Sequence, residues 1–403
     1  MLISRHAASP AYDMISIEQI ESITQIDASE WDQLAGRRVL ASYGWLRTML
    51  DTQCSPNSPR YFLARTAAGL VGAVVCELHD SSSTSDMRAL LFGRLGKPAA
   101  CLSLSPLPSL VCGARVGMLE PILVRGDITG EDRERVTLKL VQAVEETARG
   151  NGWTVCFRGV SPRRSPGIDH SLIVEVLANR GYLRSPELPA ASLELCPGWR
   201  CFADFRRHLK KTHPRTATNL NVEINRAKRN GLVIEQLDNP EPHSDRLHHL
   251  MDSHYRRLNR QPFMFRPEFF DRLKARLGER AVIYVARIGT TIIGASIALR
   301  DDDEVFFPMI GVDHDSSRLA AVYFNLGYNR PIEDSIAAGH RRIYFGKSAY
   351  DTKARRGCIR VETDFYLRVW SRLHERALRA FFILRSRRID SKTTALLHRK
   401  EDR

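Results

Sequence analysis

The hydrophobic positions of the chain form two series that share one order of elements. Short apolar runs separated by a turn predict a β-hairpin at 61–75 and another at 283–297. Helical periodicity follows at 135–149 and at 319–338, and each stretch ends at glycine before a further strand. This order predicts two α+β units rather than one large domain.

The two hairpins also share residues at a constant offset of 222 positions. Four pairs are identical: Ala64 and Ala286, Arg65 and Arg287, Gly72 and Gly294, Ala73 and Ala295. Four identities alone are within the reach of chance, but the shared order of elements favours two copies of one unit. We therefore expect tandem related domains.

The predicted organisation has five parts. They are an N-terminal tail at 1–14, a first domain at 15–201, a basic helical connector at 202–235, a second domain at 236–370, and a basic C-terminal helix or tail at 371–403. Pro214 prevents one continuous helix through the connector, and Asn230-Gly231 is a typical helix end. Helices are also expected over 243–277 and 364–388.

Composition is that of an ordinary globular protein. The 403 residues are 43% hydrophobic and 26% charged, and no stretch approaches the ~20 apolar residues of a spanning helix. The first 14 residues lack the apolar region of a secretory signal. We expect a soluble, cytoplasmic protein of undetermined oligomeric state.

Cysteine and histidine spacing indicates neither a disulfide framework nor a metal site. The eight cysteines are scattered, and Cys76 and Cys156 lie in apolar runs that are typical of buried reduced thiols. His248, His249 and His254 lack nearby carboxylate or thiol partners, and we interpret them as solvated helix histidines. No tightly bound cofactor is expected.

The net charge of +14 is concentrated in two segments. Residues 206–230 carry net +7 and residues 371–403 carry net +6, whereas the rest of the chain is nearly neutral. Such patches attract polyanions, namely RNA, a phosphorylated co-substrate or a lipid surface. A solvated face on each of two helices explains them equally well.

Two stretches carry a resemblance to a known family. They are the connector, from Leu209-Lys210-Lys211 to Arg226-Ala227-Lys228-Arg229-Asn230-Gly231, and residues 344–357, which read YFGKSAYDTKARRG. With the doubled order of elements, they resemble the GNAT superfamily, specifically the Fem-like peptidyltransferases and their acyltransferase relatives. The likeness in architecture covers about residues 17–369. The likeness in sequence motif covers only these two stretches.

The resemblance implies two tandem GNAT-like domains, each a mixed, mainly antiparallel sheet flanked by helices. It implies direct transfer of an acyl or aminoacyl group from acyl-CoA or aminoacyl-tRNA to an amine on a small molecule or peptide. The GNAT pyrophosphate signature is absent from both halves, and Asp313-His314-Asp315-Ser316-Ser317-Arg318 stands in its place in the second. The choice between the two donors stays open.

Four residues are candidates for the chemistry. Lys353 matches the family's lysine and is expected to stabilise the oxyanion or donor carbonyl, with Lys347 on the same loop. Glu120 interrupts an apolar run and is a candidate base, and Tyr350 is a second-rank candidate. A purely structural explanation stands beside the catalytic one: Lys353 as a surface lysine in a solvated loop, and Glu120 as a carboxylate at a strand edge that points to water.

Candidate binding residues form two groups. The donor is expected at the helix start and the lysine-bearing loop, through Ser316, Ser317, Arg318, Tyr344, Arg355 and Arg356. Phosphate or nucleic acid is expected along one stripe of the connector, through Lys210, Lys211, Arg215, Asn219, Arg226 and Arg229. Serines at a helix start also act as ordinary N-caps.

Two other hypotheses for the function stay open. A non-catalytic RNA-binding protein on the same duplicated scaffold predicts salt-dependent RNA binding that survives Lys353→Ala. Peripheral contact with an anionic membrane through Phe381-Phe382-Ile383-Leu384 and its flanking arginines is the other.

Overall fold

The computed structural model describes residues 14–54, 57–80, 106–113, 120–161, 169–317 and 320–397. The strands are β1 Ser16–Ile20, β2 Ser58–Thr66, β3 Gly69–His79, β4 Ser109–Cys112, β5 Leu123–Val124, β6 Thr154–Val160, β7 Leu183–Pro186, β8 Ala190–Glu194, β9 Leu232–Gln236, β10 Ala281–Ile288, β11 Thr291–Arg300, β12 Glu304–Val312, β13 Arg342–Tyr344, β14 Ile359–Val361 and β15 Asp364–Arg368.

The helices are α1 Ala28–Ala35, α2 Tyr43–Thr52, α3 Gly130–Gly150, α4 Ser171–Asn179, α5 Phe202–Thr212, α6 Pro214–Arg229, α7 Ser244–Asn259, α8 Phe269–Leu277, α9 His314–Ser317, α10 Val322–Phe324, α11 Arg330–Ala337, α12 Tyr350–Arg355 and α13 Arg372–Leu397. A π-helical segment, Asn325–Asn329, joins α10 to α11.

The chain divides into two compact units. The first contains the described residues of 1–43, 55–188 and 362–392, and the second those of 44–54, 189–361 and 393–403. Each unit has its own sheet and its own buried apolar core. The predicted α+β class with two mixed sheets flanked by helices is confirmed.

The sheet of the first unit has eight strands in the order β1-β2-β3-β4-β6-β15-β7, with β5 pairing to β3. All pairs are antiparallel except β4 with β6. Helix α3 packs on this sheet through the buried Val136, Leu140 and Val144. Their three- and four-residue spacing is the amphipathic pattern that the sequence shows.

The sheet of the second unit has seven strands in the order β14-β8-β13-β12-β11-β10-β9. Only the β12–β13 pair is parallel. The segment from Val322 to Ala337 packs on this sheet through Val322, Leu326 and Ile332. The second unit therefore repeats the mixed sheet and packed helix of the first.

The two hairpins match in register as well as in sequence. In β2–β3, Ala64 pairs with Gly72 and the register shifts directly after Ala64. In β10–β11, Ala286 pairs with Gly294 and the register shifts directly after Ala286. A bulge at the same place in both hairpins is a structural feature rather than a defect, and it agrees with the expected relation between the two units.

The paired glycines allow a helix to pack closely against each hairpin. A Cβ on Gly72 would lie 2.7 Å from Cγ1 of Val136, and one on Gly294 would lie 2.9 Å from Cγ1 of Val322. Both contacts join a hairpin to the helix that packs on it. Because valine is stiff about χ1, neither neighbour can turn away easily.

The observed units differ from the predicted boundaries in several places, and residues 44–54, which the prediction assigned to the first domain, belong to the second unit. Strand β8, which the prediction assigned to the first domain, pairs with β13 and β14 in the second sheet. Residues 364–368 form strand β15 of the first sheet instead of the start of a helix, and α13 begins only at Arg372. Strand pairing across about 180 residues of sequence is not visible in local periodicity.

Other predicted elements need smaller changes. Two helices, α5 and α6, meet at Pro214 as expected, and Pro214 occupies the first turn of α6. The expected helix over 243–277 is two helices, α7 and α8, separated by a loop that contains Pro262 and Pro267. Cys76 and Cys156 are buried, as predicted.

The C-terminal helix is partly a core element of the first unit. Phe382 and Leu378 are buried against Phe365 and Leu367, whereas Ile383 and Leu384 are exposed. Half of the apolar tetrad at 381–384 is therefore occupied by packing within the unit. Among the described residues, no helix is both long and apolar enough to span a bilayer.

We predict that Gly72→Ala and Gly294→Ala each lower the free energy of unfolding by about 1–3 kcal/mol, because the added methyl group overpacks a helix–hairpin contact. Gly126→Ala is the matched control, since nothing lies within 4 Å of its Cβ position, and a change within about 0.5 kcal/mol is expected. Denaturant titration measures all three. Equal stability of the three variants would contradict the packing argument.

Candidate active site

A cavity of about 210 Å³ lies in the second unit. Aromatic rings form much of its wall: Tyr255, Phe307, Tyr323, Tyr328 and Phe345. Its polar lining includes Lys347, Lys353 and His254. At ~30 Å³ per water in the liquid, the volume corresponds to roughly seven water molecules, which suits one small chemical group.

Lys353 lies on α12 and is 4% exposed. Its Nζ donates hydrogen bonds to the carbonyl oxygens of Phe345 at 2.7 Å, Gly346 at 3.1 Å and Lys347 at 3.0 Å. An ammonium has three N–H donors and no acceptor. All three donors are therefore used by the backbone of one loop.

The loop reaches this arrangement through unusual backbone angles. Gly346, Ser348 and Ala349 have φ values of 67°, 72° and 47°. Positive φ costs a residue other than glycine about 1–3 kcal/mol and persists only where the surroundings impose it. The ammonium of Lys353 supplies that constraint, because it holds three successive carbonyl groups toward one point.

Burial lowers the pKa of Lys353 to about 8, while nearby Cys358 acts in the opposite direction. The side chain is therefore mainly charged at neutral pH, and the three carbonyl dipoles favour that form. A hydrogen bond from this ammonium to a substrate oxygen would replace one of the three bonds. Its positive charge, in contrast, acts on the cavity without any rearrangement.

His254, on α7, is 5% exposed and lines the same cavity. Its ring stacks on that of His314 with centroids 5.1 Å apart and an interplanar angle of 2°, and on Tyr323 at 6.3 Å. The Nδ1 atom is buried and hydrogen-bonds to none of the described residues. Burial, then the charges of His314 and Arg257, lower the pKa of His254 to about 4.

Arg356 is held in the interior instead of facing the cavity. Its Nη2 donates to both carboxylate oxygens of Glu223, each at 2.8 Å. The guanidinium also lies 4.9 Å from the ring centre of Phe324 and 4.6 Å from that of Tyr328. Nη2 of Arg356 therefore serves a buried carboxylate, and Arg356 is not among the described residues that line the cavity. Its contact with the donor stays a prediction.

The π-helical segment belongs to this buried network. Nδ2 of Asn325 donates to the carbonyl of Glu223 at 3.1 Å, and Nδ2 of Asn329 donates to its carboxylate at 3.3 Å. Gly327 and Tyr328, from the same segment, line the cavity. Single π turns inside helices occur frequently at functional sites, and this one brings α6 and the cavity wall together.

Other predicted residues around the loop take structural positions. Tyr344 is buried, stacks on Phe306 at 4.9 Å and accepts a hydrogen bond from Arg342 at 2.9 Å. Tyr350 donates its hydroxyl hydrogen to the carbonyl of Pro189 at 2.8 Å. Neither tyrosine is among the described residues that line the cavity, and their roles in donor binding and catalysis stay predictions.

Ser316 and Ser317 lie in the four-residue helix α9, while Arg318 lies outside the described residues. The main helix begins at Val322, three residues later than predicted. The periodicity suggested that the serines begin the main helix, but in the structure they lie in a separate short helix before it. Arg355, next to the buried Arg356, is exposed to solvent.

Glu120 belongs to the first unit, and its carboxylate lies 3.0 Å from the guanidinium of Arg38. The side chain is about a quarter exposed. A partly exposed carboxylate with a cationic partner needs no catalytic explanation. Glu120 is therefore paired with a cation instead of pointing to water at a strand edge, and the residue is not part of the cavity wall. Its role as a base stays a prediction.

The connector helices present their cations to solvent. The exposed members of the predicted stripe are Lys210, Lys211, Arg215, Asn219, Arg226 and Arg229. The opposite side of α6 is buried through Leu220, Glu223 and Ala227. One helix therefore combines a basic outer face with an inner carboxylate that reaches the site.

The interpretation of His254 as a solvated helix histidine is wrong, since the residue is only 5% exposed, and sequence reasoning missed the aromatic wall of the cavity. The spacing of His254 from Leu247, Leu250 and Met251, which are all buried, was the available signal, because it places the histidine on the inner face of α7. Tyr323 and Tyr328 lie in the stretch at 319–338 that was predicted only as a helix. The described residues contain no cluster of three or more metal-ligating side chains.

Comparisons with solved structures agree with this architecture. The C-terminal domain of a putative lysylphosphatidylglycerol synthetase from Agrobacterium fabrum is similar, with 13% identity over 89% of this chain and 96% of that one, at a TM-score of 0.53. L-PGS from Bacillus licheniformis matches with 13% identity, coverages of 93% and 99% and a TM-score of 0.50. FemX matches with 10% identity, coverages of 86% and 96% and a TM-score of 0.50.

The fold is accordingly that of the tandem GNAT-like proteins, as the doubled elements predicted. A model of the FemAB-like family, described as peptidoglycan biosynthesis/recognition, matches residues 195–400, just over half of the chain. The chain belongs to this family, and the predicted relationship to Fem-like acyltransferases is confirmed. No curated protein matches the chain.

We predict that Arg356→Met lowers the free energy of unfolding by about 3–5 kcal/mol, because it leaves the carboxylate of Glu223 buried without its cation. The neighbouring, exposed Arg355→Met is the control, with an expected change within about 0.5 kcal/mol. Denaturant titration compares the two. If both variants unfold at the same denaturant concentration, the buried ion pair does not support the site.

Proposed function

We propose that this protein is an N-acyltransferase in which the cavity of the second unit receives the group to be transferred. The donor is an activated acyl or aminoacyl compound, acyl-CoA or aminoacyl-tRNA, and the acceptor is an amine. The observation that carries the proposal is the fixed ammonium of Lys353 in the wall of a small aromatic cavity, in a chain of the FemAB-like family.

Attack of an amine on an activated carbonyl places negative charge on the carbonyl oxygen. A preorganised positive charge in a site of low polarity stabilises that charge without having to reorganise during the reaction. Lys353 meets both conditions, because it is buried and its position is set by three backbone carbonyls. We assign it an electrostatic role instead of the direct hydrogen bond expected from the sequence.

The acceptor amine must present its lone pair to the carbonyl carbon. Because its pKa is about 4, His254 is neutral at physiological pH, and a neutral imidazole has one nitrogen that accepts a hydrogen bond. We assign to His254 the orientation of the amine through its N–H group. Because the ring is too weakly basic to keep a proton, the proton that the amine loses goes to the departing thiolate or ribose alkoxide of the donor, which leaves as the thiol or the hydroxyl.

Direct transfer between donor and acceptor is favoured over a covalent enzyme intermediate. Among the described residues that line the cavity, none is a cysteine. The family description supports a peptide amine as the acceptor, and the exposed cations of the connector suit the phosphates of either donor. Mass spectrometry of ligands that co-purify with the full chain distinguishes coenzyme A from tRNA.

Lys353→Met is expected to slow acyl transfer about 10²-fold, the usual effect of removing one stabilising group from an oxyanion site. His254→Phe keeps the stacked ring and is expected to cost about tenfold or more. The exposed Lys139→Met is the control. Release of coenzyme A from acyl-CoA and discharge of labelled aminoacyl-tRNA, each with a panel of amines, measure the rates.

Unfolding midpoints of the same variants show whether each one is folded. An unchanged rate in both folded variants would contradict the assignment of this cavity. RNA binding that falls steeply with salt and is unaffected by Lys353→Met, without any transfer, would instead support the non-catalytic RNA-binding alternative.

A further inference from the structure

Four arginines surround one carboxylate in the second unit. Oδ2 of Asp51, on α2, accepts hydrogen bonds from Arg47 at 3.0 Å and from Arg276 at 2.6 Å. Arg272 donates to the same oxygen at 3.3 Å, and Nη2 of Arg266 donates to the backbone carbonyl of Asp51. We call these four arginine side chains the arginine cluster. None of them is among the described residues that line the cavity.

The charges of the arginine cluster do not balance. Arginine is not deprotonated in proteins, so four positive charges face the single negative charge of Asp51. Within the described parts of the chain, Asp51 is the only carboxylate that forms an ion pair with any of them. Partial burial raises the pKa of Asp51, but hydrogen bonds from Arg276 and Arg47 outweigh it and lower that pKa below its ordinary value. The surroundings of this carboxylate are therefore strongly positive.

Most of the hydrogen-bond donors in the arginine cluster are left over. A guanidinium has five N–H donors, and Arg47 and Arg272 each use one of them on Asp51. Arg276 adds only a long hydrogen bond of 3.5 Å to Thr48. The side chains of Arg47, Arg272 and Arg276 are 31%, 48% and 27% exposed. The remaining N–H groups are therefore accessible to an anion from solvent.

The arginine cluster is held in place by close packing of the two helices that carry most of it. A Cβ on Gly44 of α2 would lie 3.1 Å from the carbonyl oxygen of Arg276 on α8, so this close approach depends on glycine. At the end of α2, the carbonyl of Thr52 accepts a hydrogen bond from the backbone N–H of Arg266 at 2.8 Å. The guanidinium groups are therefore positioned before a ligand arrives, and such preorganisation lowers the free-energy cost of binding.

From this excess of fixed, accessible guanidinium groups, we propose that the arginine cluster binds the terminal phosphate of a small molecule. A phosphomonoester carries about −1.5 to −2 charge at pH 7, which offsets much of the excess. Guanidinium groups bind phosphate oxygens through paired, charge-assisted hydrogen bonds. The proposal concerns a site outside the cavity wall and does not depend on the proposed transferase function.

The geometry favours a phosphomonoester over the phosphodiester backbone of a nucleic acid. Arg47, Arg272 and Arg276 converge on one point, the Oδ2 atom of Asp51, and the side chain of Asp51 is only 15% exposed. A terminal phosphate offers three acceptor oxygens to three guanidinium groups, whereas a diester has one fewer free oxygen. The point of convergence therefore suits the end of a phosphorylated molecule.

Calorimetry and thermal unfolding of the full chain test the site with glycerol 3-phosphate, inorganic phosphate and dimethyl phosphate. A ligand that binds only the folded state raises the unfolding midpoint, so each probe is compared with chloride at equal ionic strength. We expect the first two probes to raise the midpoint in a saturable way, and dimethyl phosphate to bind at least about tenfold more weakly. Equal effects of phosphate and chloride, or equal affinities for the monoester and the diester, would overturn the proposal.

Vesicles that contain phosphatidic acid present the same phosphomonoester on a lipid. Binding of soluble glycerol 3-phosphate without co-sedimentation of the protein with these vesicles is the expected result. Co-sedimentation without any binding of the soluble probes would overturn the proposal and assign the arginine cluster to a membrane surface.

Arg47→Met and Arg272→Met test whether the arginine cluster is the place of binding. Each is expected to weaken the binding of glycerol 3-phosphate about tenfold or more, because it removes charge-assisted hydrogen bonds to phosphate. Arg256→Met is the matched control: Arg256 pairs with Asp252 at 2.6 Å, also four residues apart on one helix, and no second arginine of the described residues pairs with that carboxylate. Unchanged affinity in both folded cluster variants would overturn the proposal.

Asp51→Asn separates a binding site from an ion-pair network that serves stability alone. The change removes the carboxylate that competes with phosphate for the same N–H groups, so the affinity for phosphate is expected to rise severalfold. Phosphate is also expected to restore the stability that the variant loses, whereas a purely structural network would respond equally to phosphate and chloride. Unchanged or weaker phosphate binding by the folded variant would contradict the proposed site.

Discussion

The contact between one buried ammonium and three consecutive carbonyl groups determines the form of the site. Lys353 reaches from α12 back to the loop that follows β13, and its three N–H groups hold the oxygens of Phe345, Gly346 and Lys347. That contact stabilises a loop with left-handed residues and places one fixed charge beside the cavity. Without it, the carbonyl groups of Phe345 and Lys347 would lose this buried donor, at a cost of about 1–3 kcal/mol each, while that of Gly346 would keep the N–H of Ala191.

The connector helix α6 supports this site from its inner side. Glu223 binds Arg356, and Arg356 lies against the rings of Phe324 and Tyr328. The same helix carries Arg226 and Arg229 on its exposed side. The helix therefore links its exposed cations to the cavity wall through Glu223, Arg356 and Tyr328. Buried ion pairs are weak evidence for net stability, but breaking one is costly, which makes Arg356 a supporting residue.

Local sequence patterns predicted much of the architecture but only part of the site. The two hairpins were predicted from the repeated sequence, whereas the register shift after Ala64 and after Ala286 was found only in the structure. Lys347 and Lys353 were predicted at the site, and both line the cavity. Tyr344, Tyr350 and Arg356 were expected there because they are neighbours in the chain, yet each is turned toward another partner. Alternation along a strand limits which face a residue occupies, but it does not identify the partner.

The sequence by itself determined that there are two α+β units with a shared order of elements, that Gly72 and Gly294 recur at the same place in the two hairpins, and where positive charge is concentrated. These properties depend on residue type and spacing along a short stretch of chain. Only the tertiary structure decided that β8 joins the second sheet and β15 the first, that His254 from α7 faces the same cavity as Lys353, and that Arg356 is neutralised by Glu223. Each of these contacts joins residues far apart in sequence, because packing selects partners by shape and charge in space.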